Sequence, residues 1–145
     1  MGQQQLLLVI LVTIIVGIAT VVAINTFSSA ADSANLDAVR QDVASIAASA
    51  QGYYMKPDML GGGGQDFDGM TFENIAFGGT ISSSGMIAWN ENGTYVLSDD
   101  GSATGITITA HPASDDNYDA SDPENATATN SLSAEIQPDG LSWGS

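Results

Sequence analysis

The sequence has 145 residues, enough for one compact domain, and it contains no cysteine. Disulfides and thiolate metal sites are therefore excluded as the means of holding it together. Its 17 acidic residues face only two basic ones, Arg40 and Lys56, for a net charge of −15 at pH 7. Such a surface repels phosphate backbones, so we expect no direct binding of nucleic acid.

Residues 1–27 are predicted to form an apolar helix. No charged side chain precedes Asp32, and residues 6–27 are almost entirely apolar. At ~1.5 Å per residue these 22 positions make a helix of roughly 33 Å, close to the thickness of the hydrocarbon layer of a bilayer. A helix that is apolar on every side must lie in lipid or among other apolar helices.

Inside this helix we expect two threonine hydroxyls to bond backbone carbonyls one turn earlier. Thr13 would reach Val9, and Thr20 would reach Val16. Gly17 is the one position where another helix could approach closely or the helix could loosen.

The residues before the apolar run do not resemble a secretory signal. No Lys or Arg precedes the apolar run. The run is also longer than the ~7–15 apolar residues of a signal peptide. We expect that a short basic leader has been removed and that Met1 is the mature N-terminus. The alternative is a full-length chain oriented by something that the sequence does not show.

Residues 28–56 are predicted to form an amphipathic helical stem that continues the first helix. No Gly or Pro occurs between residues 25 and 51, whereas Gly52 and Pro57 mark an end. Apolar residues recur at helical spacings of 3 and 4 and define one face that should pack against its own domain: Leu36, Val39, Val43, Ile46, Ala50 and Tyr53.

Residues 57–145 are predicted to form a small acidic head with an antiparallel β-sheet, which makes the fold class α+β. Turn residues separate short β-type runs at 70–77, 85–89, 94–97, 106–110, 132–136 and 141–143. The glycines at 61–64 predict a flexible loop, and residues 111–130 predict a long polar loop. The expected core residues are Tyr95, Leu97, Ile106, Ile108, Leu132 and Ile136.

Catalysis is not expected, and the chain is predicted not to be an enzyme. Its one histidine, His111, lies at a strand end beside Pro112 without a recognisable nucleophile motif. Seventeen carboxylates always supply close pairs, so no acid–base pair can be singled out.

Residues 115–124 place oxygen-bearing side chains at alternate positions, as loops that wrap calcium do. The loop departs from an EF-hand, because Ala120 and Ala126 stand where the glycine and the bidentate glutamate belong. Two interpretations remain open, a weak Ca²⁺ site and a solvated acidic loop, and no other cofactor is expected. The candidate ligands are Asp115, Asn117, Asp119, Ser121, Asp122 and Glu124.

Two segments match the N-glycosylation pattern, which makes Asn92 and Asn125 possible acceptors. The motif at Asn92 also predicts a hairpin turn, and that turn by itself explains the presence of an Asn-Gly pair there.

The polar start, the uncharged apolar run, the uninterrupted stem and the small β-rich head together resemble the type IV pilin superfamily. The resemblance implies that a prepilin peptidase removes a basic leader and that Met1 is then N-methylated. It further implies a membrane-anchored precursor, an assembly machinery, and a cell-surface filament of identical subunits whose helices bundle at the centre. The residues implied in polymerisation are Met1, Gln5, Leu6, Leu7, Leu8, Val9, Ile10, Leu11, Ile14, Ile15, Gly17 and Ile18.

Three features depart from that family. Gln5 stands where pilins usually carry a glutamate that pairs with a neighbour's terminal amine, and an amide accepts that bond more weakly. Val21 and Val22 continue the helix where bacterial pilins often have a proline, and the head has no disulfide. Two alternatives remain: a pseudopilin or minor pilin of a secretion or DNA-uptake system, and a single-span membrane protein whose acidic head binds cations or another protein.

Overall fold

The computed structural model describes residues 2–99 and 101–144. The chain divides into two compact units, Met1–Ala34 and Asn35–Ser145. The long helix α1, Gly2–Met55, contributes to both units. The prediction that the stem continues the apolar helix without a break is therefore confirmed from Gly2 to Met55.

The first unit consists of the N-terminal part of α1. Thr13 Oγ1 donates a hydrogen bond to the Val9 carbonyl at 2.6 Å, and Thr20 Oγ1 donates to the Val16 carbonyl at 2.8 Å. Both bonds were predicted. The helix continues through the β-branched residues of this segment. Such residues weaken a helix in water, but in an apolar surrounding the backbone has no water to bond and the helix is favoured.

The second unit combines the remainder of α1 with one open antiparallel sheet. Each strand pairs with the next one in the chain, in the order β1 to β6. The strands are β1 (Thr80–Ile81), β2 (Ile87–Trp89), β3 (Gly93–Ser98), β4 (Ile106–Pro112), β5 (Leu132–Gln137) and β6 (Gly140–Trp143). The predicted α+β class with a small antiparallel sheet is confirmed.

The core lies between α1 and one face of the sheet. The predicted helix face is buried at Val39, Val43, Ile46 and Ala50, with Ala47 added, while Leu36 and Tyr53 are only partly buried. Strand residues alternate between this core and the outer face, as the period of two requires. Of the six predicted strand core residues five are buried, namely Tyr95, Leu97, Ile106, Ile108 and Ile136, and Leu132 is partly buried.

The strand predicted at residues 70–77 is wrong, because this segment folds into turns. The Thr71 backbone N–H and the Thr71 hydroxyl both donate to Asn74 Oδ1, at 3.0 and 2.7 Å. Met70, Phe72 and Ile75 nevertheless reach the core. Their loose alternation reflects burial of a looped segment. The two-residue strand β1 follows it and was not predicted.

The glycines at 61–64, predicted to form a flexible loop, fold back onto the end of α1. The backbone N–H groups of Gly63 and Gly64 donate to the carbonyls of Tyr53 and Lys56, at 2.8 and 3.0 Å. A Cβ on Gly62 would collide with the backbone of Lys56, so this approach requires glycine. The run therefore caps carbonyls that the helix end would otherwise leave unpaired.

The predicted polar loop covers part of the outer face of the sheet. It starts after Pro112 and not at residue 111, because β4 extends to Pro112. Thr94 on β3 is fully buried beneath it, and its Oγ1 bonds the Tyr118 hydroxyl at 3.0 Å and the Pro123 carbonyl at 2.8 Å. A short 3-10 turn, Pro123–Asn125, contacts β2 and β3.

Candidate functional site

The most unusual surface of the molecule is the N-terminal part of α1. Every residue from 2 to 34 is exposed. The exposed fraction of the large apolar side chains ranges from 50% at Val12 to 78% at Phe27. Continuous apolar surfaces of this size mark sites of contact with a membrane or with other protein. The helix is long and apolar enough to cross a bilayer.

The three threonine hydroxyls on this surface are paired within the helix. Thr26 Oγ1 donates to the Val22 carbonyl at 2.9 Å, which repeats the pattern of Thr13 and Thr20. Each of these threonine donors is satisfied by its own helix, so none needs a partner from outside. Residues 6–27 can therefore enter an apolar surrounding without leaving a hydroxyl donor unpaired.

The residues implied in polymerisation lie together on this helix. Met1 lies outside the described residues, and Gln5 is exposed. The others are likewise exposed: Leu6, Leu7, Leu8, Val9, Ile10, Leu11, Ile14, Ile15, Gly17 and Ile18. The helix is unbroken at Gly17, and a Cβ there would meet no atom within 4 Å. Contacts within the described chain therefore do not require a glycine at this position.

Sequence reasoning missed a polar cluster in the second unit, centred on Asp42 of α1. Asp42 Oδ2 accepts hydrogen bonds from the Tyr95 hydroxyl at 2.6 Å and from the side-chain amides of Asn90 and Asn92, each at 2.8 Å. Burial acts to raise the pKa of Asp42, but the three hydrogen bonds outweigh it and hold that pKa below its usual value. The cluster anchors the β2–β3 turn to the helix.

Amide side chains of α1 make further links to the sheet. Asn35 Nδ2 donates to the Asn92 carbonyl at 3.0 Å, and Asn35 Oδ1 accepts from the Ser114 N–H at 3.2 Å. Gln51 Nε2 donates to the Gln137 carbonyl at 3.0 Å. These partners are 57 to 86 residues apart in the chain, so no local sequence pattern could have indicated them.

The two possible glycosylation sites differ in accessibility. Asn92 is partly buried, its amide nitrogen donates to Asp42, and the Thr94 of its motif is fully buried. Asn125 and Thr127 are both exposed, and the Asn125 amide donates only to the exposed Asp122 carboxylate. The folded chain therefore presents the second motif to a modifying enzyme and encloses the first.

The carboxylates of the acidic loop organise its own turns. Asp115 accepts from the backbone N–H groups of Asn117 and Asn130, each at 3.0 Å, and these bonds lower its pKa. Asp119 accepts from the Ser121 hydroxyl at 2.6 Å and from its N–H at 2.9 Å, which lowers the pKa of Asp119. Within residues 2–99 and 101–144, no three acidic or histidine side chains converge as metal ligands. Calcium binding stays a prediction.

His111 lies at the end of β4, with its side chain partly buried on the outer face. Its Nδ1 is buried and has no hydrogen-bond partner among the described residues. Burial lowers the pKa of the imidazole, against an opposing effect of the Asp115 carboxylate. This environment favours the neutral ring at neutral pH.

Comparisons with family models, with curated proteins and with solved structures gave no match. The architecture is nevertheless the one that the resemblance to pilins predicts: a long N-terminal helix, apolar at first and packed later on an antiparallel sheet. Its exposed apolar segment is the best supported functional surface.

Proposed function

We propose that the protein is the structural subunit of an extracellular filament of the type IV pilus kind. The observation that carries the proposal is the fully exposed apolar segment, residues 6–27 of α1. In the filament, identical helices surround this segment. Before assembly, a membrane does so.

The free energies of burial in a membrane and in a bundle of identical helices support this order, from membrane to filament. Moving apolar side chains from water into a helix bundle stabilises the bundle by ~25 cal/mol per Å² of buried surface. A subunit in such a bundle therefore does not return to water. Transfer from lipid to a bundle gains much less and depends on packing, for which Gly17 and the small residues Ala19 and Ala23 suit close helix approach. Extraction from the membrane therefore needs an assembly machinery.

The second unit supplies the water-facing part of the filament. Fifteen net negative charges per chain keep identical heads soluble and oppose their random association. Such charge is tolerated in a medium rich in salt or divalent cations, which screen it. Neighbouring subunits must meet through two different surfaces, because only such contacts repeat into an open helix.

Two measurements on the native source test the proposal. Surface material is sheared, examined by negative staining, and its subunits are sequenced by mass spectrometry. We expect thin fibres composed of this chain, with residues 6–27 present and a methylated N-terminus. A chain that remains in the membrane fraction without fibres would instead support a single-span membrane protein. A mature chain that begins near Ala30 would overturn both interpretations.

A further inference from the structure

A cleft lies in the second unit, between α1 and the edge strand β6. It has a volume of about 490 Å³, and the residues that line it are Arg40, Ser131, Leu132, Ser133, Trp143 and Gly144. It combines an aromatic ring, an aliphatic side chain and a guanidinium group. Aromatic residues and arginine are the side chains that most often anchor protein interfaces.

The apolar part of the cleft is the margin of the core face that α1 leaves uncovered. Trp143 pairs with Ala134 across β5 and β6, so both side chains point to the face on which the helix packs. Ala134 is buried, whereas Trp143 remains 43% exposed. Leu132, two residues before Ala134, is also only partly buried. A large ring on the core side of a sheet is normally covered.

The outer edge of β6 has no strand partner among the described residues, because β6 is the last strand of the sheet. The Gly144 N–H donates to the Ser133 carbonyl at 2.8 Å, so the alternation of an antiparallel ladder directs the N–H and C=O groups of Trp143 away from β5. An uncovered edge of this kind readily pairs with another chain.

The charge of the cleft indicates what it binds. Arg40 is one of two basic residues in the chain, and one guanidinium nitrogen lies 3.2 Å from Asp37 Oδ1. That pair is exposed on both sides, so it contributes little and leaves most of the five guanidinium donors available. A second copy of the chain carries 17 acidic residues, which makes its carboxylates complementary to this cleft.

We propose that the cleft between Arg40 and Trp143 binds the acidic loop, residues 115–124, of a second copy of this chain. This inference rests on the proposed function and specifies its head-to-head contact. Within one chain the loop ends in the turn Pro123–Asn125 on β2 and β3, and β6 forms the far edge of the sheet. The loop and the cleft are therefore different surfaces of one chain, as a contact that repeats into an open helical polymer requires.

The loop carries acidic side chains suited to this contact. Asp116 and Glu124 are both exposed, and neither makes a hydrogen bond or ion pair to a described residue. Asp115 and Asp119, by contrast, hold turns within the loop. Asp116 and Glu124 can thus approach Arg40 of a neighbour without disturbing the loop that carries them.

Fluorescence of Trp143 tests the burial that the contact requires. The chain has two tryptophans, so the full-length Trp89→Phe variant leaves Trp143 as the only one. Acrylamide quenching is measured on the subunit in detergent and on assembled filaments. Quenching should fall by about threefold, because a ring that is 43% exposed becomes buried in an interface.

The two proposals fail in different ways in this experiment. Unchanged quenching in abundant filaments would overturn the proposed contact and leave the filament function intact. Absence of filaments from the unmodified chain would overturn the filament function itself.

A charge exchange tests the partner and does not depend on the tryptophan variant. Arg40→Glu should reduce filament yield by about tenfold, whereas Arg40→Lys should reduce it much less. Asp116→Lys and Glu124→Lys, added to Arg40→Glu, should restore the yield. Failure of this combination to restore filaments, with helix content and thermal unfolding unchanged in detergent, would overturn the assignment of residues 115–124.

Discussion

The Asp42 carboxylate accepts a hydrogen bond of 2.6 Å from the Tyr95 hydroxyl and so joins helix α1 to β3, one of the two central strands of the sheet. Asn90 and Asn92 donate to the same oxygen. Asp42→Ala would leave these donors without their acceptor, and we expect a loss of about 1–3 kcal/mol in the free energy of unfolding. Chemical denaturation of the full chain in detergent, followed by tryptophan fluorescence, measures it.

Asp37→Ala is the matched control, because Asp37 lies on the same helix in an exposed ion pair. Its effect should stay within about 0.5 kcal/mol. Equal losses in the two variants would contradict the structural role of Asp42.

The same cluster makes stability depend on pH. The pKa of Asp42 in the folded chain lies below its usual value of 3.8, so the ionised carboxylate stabilises the fold. This contribution is complete above about pH 4 and is lost as the pH falls through the folded-state pKa. We expect the free energy of unfolding to decrease between pH 4 and pH 2. The decrease should be shallower in Asp42→Asn, and identical slopes would exclude Asp42 as the source.

A charge in the apolar segment should prevent assembly. In Leu11→Asp the carboxylate would be surrounded by apolar helices in the filament, where an unpaired charge is costly. We expect loss of fibres on negative staining. Ser83→Asp is the control, because Ser83 is exposed in the loop between β1 and β2. Normal fibres from Leu11→Asp would show that residue 11 does not lie in an apolar filament core.

Gly52 in the last turn of α1 and Gly62 in the loop that folds back onto it should respond in opposite directions to alanine. Gly62→Ala places a Cβ against the backbone of Lys56, and we expect a loss of about 1–3 kcal/mol in the free energy of unfolding. Gly52 is helical, exposed and has open space at its Cβ position. Gly52→Ala should therefore gain about 0.5–1 kcal/mol. Thermal unfolding followed by circular dichroism measures both, and a stabilising Gly62→Ala would contradict the capping role.

Expression in a host with N-glycosylation should distinguish the two acceptor motifs. We expect a glycan on Asn125, which is exposed, and none on Asn92, whose amide is bonded to Asp42. Mass spectrometry after cleavage at acidic residues locates the modification. Asn125→Gln should abolish it, and a glycan on Asn92 would mean that modification precedes folding of the β2–β3 hairpin.

Periodic patterns in the sequence predicted the helix and most of the sheet. The spacing of Val39, Val43 and Ile46 identified the buried face of α1, and the alternation of Ile106 and Ile108 identified β4, the other central strand. Such patterns succeed because each element buries one face over several turns or residues. The segment 70–77 gave a false strand, since its apolar residues reach the core from turns whose geometry depends on the distant Gly85 carbonyl.

The candidate surfaces also differ in whether the sequence could predict them. The exposed apolar helix was predictable, because hydropathy and length are local properties. The cluster around Asp42 and the cleft beside Arg40 were not, because the helix residue and its partners lie 48 to 104 residues apart in the sequence. Only the pairing of β5 with β6 places Trp143 beside α1, and no repeat or motif in the chain indicates this proximity.

The meander order of the sheet has a consequence for biogenesis. Each strand needs only its predecessor, so hairpins can form one after another as synthesis proceeds. The hydrogen bond from Gln51 to the Gln137 carbonyl nevertheless requires β5, and Ile136 joins the core that packs on α1 only when this strand has been synthesised. The core on α1 is therefore completed only near the end of translation, and a chain truncated before β5 would lack Ala134 and Ile136 from that core.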